Sequence, residues 1–200
     1  LVSIDTKAVG NPAFIKEKTG EEVTDFRNGE HTCTLIGTEK GKSILIEHNV
    51  TSPRPYNRMY QLTGTKGFAN KYPVSGYALD GGEIDPEIAA NHENLNAHDF
   101  VPEEVKEALI EKYKHPIVKD IEELAKQVGG HGGMDFIMDY RLIYCLQNGL
   151  PLDMDVYDLA EWCCLIPLTE ISLDNNSAPV EIPDFTRGGW NKLNGLKFAQ

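Results

Sequence analysis

The residue types best suited to chemistry fall in two short stretches. In Gly129-Gly130-His131-Gly132-Gly133-Met134-Asp135, a histidine stands between two glycine pairs directly before a long segment of helical apolar spacing. Four glycines cost backbone entropy that a plain connector does not need, so the spacing suggests that something approaches this loop closely. A helix N-terminus presents free N–H groups to a sugar hydroxyl, a carboxylate or a phosphate. A histidine there, with an unperturbed pKa of about 6.5, can bond a ligand or act as acid or base. The same pattern serves a flexible joint whose histidine caps the helix or faces solvent, and both readings stand.

The second stretch is Thr51-Ser52-Pro53-Arg54-Pro55-Tyr56-Asn57-Arg58. Two prolines fix φ on either side of Arg54, so Arg54 and Tyr56 are presented at low entropic cost. A stiff loop carrying Arg, Tyr and Asn suits a sugar, with an aromatic face for C–H groups and polar tips for hydroxyls. Spacing alone slightly favours a rigid turn with solvent-facing charges. His48 lies in line with Ile44 and Ile46 and reads as a core histidine.

Other candidates are weaker. Asp135 and Asp139 stand one helical turn apart and fit a first-turn acid and a solvated face better than a cation site. Cys33, Cys145, Cys163 and Cys164 have no C-x-x-C spacing, so neither a disulfide framework nor a zinc site is expected. The glycine-histidine loop lacks the spacing of a dinucleotide fingerprint and follows a helix rather than a strand. P-loop, G-x-S-x-G and H-E-x-x-H patterns do not occur.

The elements that must position these residues are strands first and helices afterwards. Val2, Ile4 and Thr6 alternate with Ser3 and Asp5 as a strand already under way at Leu1, which reads as a piece of something longer. His31 to Thr38 and Ser43 to Thr51 are β-branched alternating runs joined by a short loop with Gly41 at its positive-φ position. Arg58 to Gly64 and Tyr72 to Leu79 continue the strands. Pro86, Pro102 and Pro116 open helices. Along the third of these, Ile117, Ile121, Leu124 and Val128 form one stripe. Apolar positions at helical spacing from Met134 run to an Asn148-Gly149 end and a stop at Pro151. A last helix is expected from an Asp153 cap to about Leu173, kinked at Pro167. A short strand follows at Ala178 to Ile182, and then a Gly- and Asn-rich tail.

This order argues for an α+β fold: an open-faced, largely antiparallel sheet with helices packed on one face. Residues 1–185 are expected to form one domain and 186–200 a peripheral tail. The uncovered sheet face is expected to be either solvated or a partner surface, with a homo-oligomer through it as the partner reading. Thirty-one acidic against 19 basic side chains give a net charge of −12, which argues against nucleic acid and anionic membrane surfaces. The longest apolar run, Trp162 to Leu168, is far short of the roughly 20 residues a membrane span needs.

Taken together, Thr51-Ser52-Pro53-Arg54-Pro55-Tyr56, Gly64-Thr65-Lys66-Gly67, the glycine-histidine loop through Phe136, Asn148-Gly149-Leu150-Pro151 and Pro183-Asp184-Phe185-Thr186-Arg187-Gly188 resemble glycoside hydrolase family 109. These are NAD-dependent α-N-acetylgalactosaminidases of the Gfo/Idh/MocA oxidoreductase superfamily. The resemblance implies a C-terminal substrate-binding and dimerisation domain, normally preceded by a Rossmann domain that holds NAD. It also implies hydrolysis by transient oxidation at sugar C3, elimination of the aglycone, water addition and re-reduction. The family's proton-transfer Tyr and His and its dinucleotide glycines have no counterpart here, so no catalytic residue is expected in this chain and the piece alone is expected to be inactive. Tyr56 is carried over as a substrate contact, and Arg54 and His131 as residues at the pocket edge. A related sugar dehydrogenase with net redox and a non-catalytic sugar-binding or dimerisation module are the competing readings. The compartment stays open between cytoplasm and export.

Overall fold

The computed structural model describes residues 1–49 and 51–192 of the chain. Its chain folds into two units, one built from Leu1–Arg54 with the segment from Asp153 onward, the other from Pro55–Leu152. The expected α+β class holds, with the strands divided between the units as two three-stranded antiparallel sheets.

In the first unit β1 (Val2–Asp5), β2 (Thr32–Gly37) and β3 (Ser43–His48) pair in sequence order. The register sets Ser3 opposite Thr34 and Thr34 opposite Ile46, so alternation places these residues on one face. That face buries Ser3, Thr34 and Ile36. Helix α7 (Leu165–Asp174) covers it through hydroxyl contacts as well as apolar ones. The Ser3 N–H donates to Ser172 Oγ at 3.0 Å, the Ser172 hydroxyl donates to the Ala178 carbonyl at 2.8 Å, and Ser3 Oγ meets Thr34 Oγ1 at 2.9 Å. Every polar atom in this small seam finds a partner, as burial requires. On the opposite face Ile4, Leu35 and Leu45 remain exposed.

Sequence spacing missed α1 (Asn11–Thr19), which buries no residue and carries no apolar stripe. The last helical region is two helices, not one kinked helix. Asp155, not Asp153, caps α6 (Val156–Cys163), in a capping box closed by Asp158. The chain breaks at Cys164, and Pro167 then falls in the first turn of α7, where its missing N–H has no intrahelical partner to lose. Ala178 to Ile182 is not a strand, although Val180 and Leu1 exchange backbone bonds in both directions. In the segment beginning at Pro183, Asp184 accepts from the Thr186 hydroxyl at 2.6 Å and the Gly188 N–H at 2.6 Å. Those bonds hold a turn that leads into a 3₁₀ helix at Gly189–Lys192. The remainder of the expected tail, 193–200, lies outside the described residues.

The second unit pairs β4 (Gln61–Thr63), β5 (Gly67–Asn70) and β6 (Gly76–Leu79). The β4–β5 turn closes with a Gly64 N–H to Gly67 carbonyl bond. Strand β5 was not legible in the sequence, and β4 and β6 are shorter than their apolar runs suggest. Helices α2 (Pro86–Ala89), α3 (Glu103–Tyr113), α4 (Pro116–Val128) and α5 (Met134–Asn148) follow as expected, except that Pro102 is the cap of α3 rather than its first residue. The core is Ile84, Val101, Val105 and Leu109, backed by Tyr77 and Leu79 from β6.

Candidate functional site

The two glycine pairs do meet a close neighbour, and it is the chain itself. Gly129, Gly130, Gly132 and Gly133 all take positive φ, which an L side chain adopts only with strain. A Cβ on Gly133 would lie 2.7 Å from the Ala125 carbonyl carbon, and one on Gly130 would lie 2.9 Å from the Asp135 Cβ. The loop thus turns the chain sharply from α4 into α5 while letting the two helices meet through the buried Ala125 and Gly133. His131 forms part of a 3₁₀ turn at the start of α5, with φ of 47°. Its side chain is 78% exposed, and Nδ1 lies 2.9 Å from Asp135 Oδ2. Asp135 therefore orients the imidazole and leaves Nε2 for another partner.

Tyr56 is 66% exposed. The Tyr72 ring meets it edge-on, with centroids 5.6 Å apart and planes at 85°. The Arg58 guanidinium lies 5.6 Å from the Tyr56 centroid, and Arg58 Nε donates to the Tyr56 hydroxyl. The group is an aromatic platform held by a cation and a second ring, with most of its surface open. Arg58 and Tyr72 are the residues sequence reasoning missed here; the signal was an i+2 cation and a tyrosine beside Pro73. Arg54 is exposed at the end of the first unit's N-terminal segment. Two of the three sequence-predicted residues thus find partners locally, Tyr56 in Arg58 and Tyr72, His131 in Asp135.

A cavity of about 500 Å³ opens in the first unit, with Phe14, Ile15 and Phe26 among its lining. Its wall includes Asn11, Asp25, Arg27, Glu30, His48 and Thr51. His48 is exposed toward it rather than a core histidine, because on the face it shares β2 is buried at Thr32, Thr34 and Ile36 while the edge strand β3 is left exposed at Ile44, Ile46 and His48. Arg27 is held by Asp174 at 2.8 Å and Glu170 at 3.4 Å, while Glu30 accepts from the Asn11 N–H at 2.8 Å. A wider apolar groove of about 800 Å³ in the second unit is lined by Leu62, Phe68, Tyr77, Leu109 and Tyr113 among others.

Residues 1–192 match the family described as glycosyl hydrolase 109, C-terminal domain. The chain belongs to that family. It is similar to a glycosyl hydrolase family 109 protein of Porphyromonas gingivalis, 66% identical over 199 residues, covering all of this chain and 42% of the relative. Family 109 proteins of Bacteroides fragilis and Bacteroides thetaiotaomicron are 65% and 64% identical over the same length, and this chain covers 43% of each. It therefore spans less than half the length of the family 109 relatives it matches.

The dinucleotide that the family resemblance implies does not fit the described residues. Such a cofactor binds at the carboxyl ends of parallel strands, at the turn from strand into helix. Both sheets here are antiparallel throughout, and the glycine-rich loop joins two helices. No redox step is therefore derived through residues of this family 109 domain. Among the described residues no helix is long and apolar enough to cross a membrane.

Proposed function

We propose that this chain is the substrate-binding domain of an NAD-dependent glycosidase that hydrolyses α-N-acetylgalactosaminides by transient C3 oxidation, elimination, water addition and re-reduction. The family match along residues 1–192 carries this reading. The held but open Tyr56 ring supports a sugar contact: its face takes the C–H groups of a pyranose, and its hydroxyl, already paired with Arg58, offers a polar rim. Arg54 and His131 serve as pocket-edge residues. The redox chemistry is the cofactor's, held by the part of the protein outside this chain; the part played here is to bind and orient the sugar.

The exposed Ile4, Leu35 and Leu45 face of the first sheet is assigned to a second copy of the protein, so the whole enzyme is expected to sediment as an oligomer. A strict monomer would remove that assignment.

The test of the activity uses the full-length protein and an aryl α-N-acetylgalactosaminide. Sugar release without net NADH supports the glycosidase. NADH accumulation without release establishes a dehydrogenase instead. If this chain by itself binds N-acetylgalactosamine as tightly as the full protein does, it is a non-catalytic sugar module.

A further inference from the structure

We propose that His31, Cys33 and Glu47 form a zinc-type divalent-cation site on the open face of the β1–β2–β3 sheet. Two rules of strand geometry bring them together. His31 immediately precedes β2 and Cys33 is its second residue, two positions on, and the β2–β3 register sets Glu47 directly opposite Cys33. Cys33 and Glu47 lie on the face opposite to the one that α7 covers.

The spacing of the donor atoms matches a tetrahedral metal on two of its three edges. Zinc–ligand lengths of about 2.0–2.1 Å to nitrogen, about 2.1 Å to oxygen and about 2.3 Å to sulfur place N and O about 3.4 Å apart and N and S about 3.6 Å apart. His31 Nε2 lies 3.4 Å from Glu47 Oε2 and 3.6 Å from Cys33 Sγ. All three donors lie within 4.8 Å of one another, so the sulfur–oxygen edge closes with a small side-chain rotation. Cys33 Sγ and Glu47 Oε2 both converge on the single nitrogen His31 Nε2, which makes only one of these hydrogen bonds well. A cation between them satisfies all three. The His31 and Glu47 side chains are only 31% and 23% exposed, which limits competition from water.

A nitrogen, a thiolate and a carboxylate together select zinc over calcium or magnesium. Three protein ligands leave the fourth corner to water. On ligation the Cys33 thiol gives up its proton to solvent, so affinity rises with pH. The bound ion clips the start of β2 to β3. Cysteine spacing gave no sign of this site because its ligands come from two strands and meet only through their register.

The experiment uses the full-length protein, stripped of metal with a chelator and titrated with Zn²⁺ alone and Co²⁺ alone. The expected result is one ion per chain and, with Co²⁺, a thiolate-to-metal charge-transfer band. Cys33→Ser abolishes the band and weakens zinc by more than about 100-fold, beyond the loss typical of changes outside the ligand set. Glu47→Gln, which keeps the side-chain shape, weakens zinc while leaving the circular dichroism spectrum unchanged. Absence of stoichiometric zinc, or affinity unchanged in both variants, overturns the site. These readouts are independent of glycosidase activity.

Discussion

A Cβ built on Gly133 would lie 2.7 Å from the carbonyl carbon of Ala125, so the loop and α4 are in backbone contact. Gly133→Ala forces both that clash and a positive-φ strain, at φ of 100°. It is expected to cost the α4–α5 hairpin about 2–4 kcal/mol. Gly132→Ala meets nothing within 4 Å and carries the φ strain alone, about 1 kcal/mol. Amide hydrogen exchange across α4 and α5 measures both, and equal effects would show that contact with Ala125 is not what selects Gly133.

Tyr56→Phe in the full-length protein removes the hydroxyl that Arg58 Nε donates to, while keeping the ring against Tyr72. The expected loss is about 1–3 kcal/mol in kcat/KM, roughly 5- to 150-fold, with the melting temperature unchanged because the ring is exposed. An unaltered kcat/KM takes Tyr56 out of the sugar site.

Ser172→Ala leaves the Ser3 N–H and the Ala178 carbonyl without the hydroxyl that joins them. Ser172 is fully buried, so the variant is expected to lose about 1–3 kcal/mol. Exchange of the Ser3 amide should rise with it. Full protection of that amide in the variant would show that β1 is held by its strand partner alone.

The Thr186 hydroxyl, followed by the Gly188 and Thr186 amides, holds the Asp184 carboxyl below its ordinary value of 3.8. A depressed carboxyl contributes stability that is fully present above the unfolded pKa and lost as pH falls through the lower folded value. Trp190, whose backbone N–H donates to Thr186 Oγ1 at 3.0 Å, sits in the same turn and reports on it. The midpoint of its emission change is expected below pH 3.8. In Asp184→Asn that acid transition disappears; a transition above pH 3.8 in the parent protein would contradict the sign.

Much of the local structure was readable because it depends on neighbours in sequence. Proline with acidic residues marks the starts of α2 and α3, proline alone that of α4, and Asn148-Gly149 marks the end of α5, where Gly149 takes φ of 63°. Helix α1 was not readable because its nine residues bury nothing and so leave no periodic trace. The break at Cys164 was misread because Pro167 can kink a helix or begin one, and only the chain direction after α6 decides between them. His48 was misplaced for a related reason: alternation assigns a residue to a face, but not how far across the strands of that face burial extends, and it stops short of β3.

By itself the sequence determined the α+β class, most helix limits, the acidity and, through its motifs, the family, because these follow from short-range spacing and residue type. Only the tertiary structure decided that the strands divide into two sheets, that Ala125 is what the glycine loop approaches, and that Cys33 faces Glu47. Each of these depends on pairing between segments apart in the chain. That pairing is fixed by which faces can be buried together, not by the pattern of either segment alone.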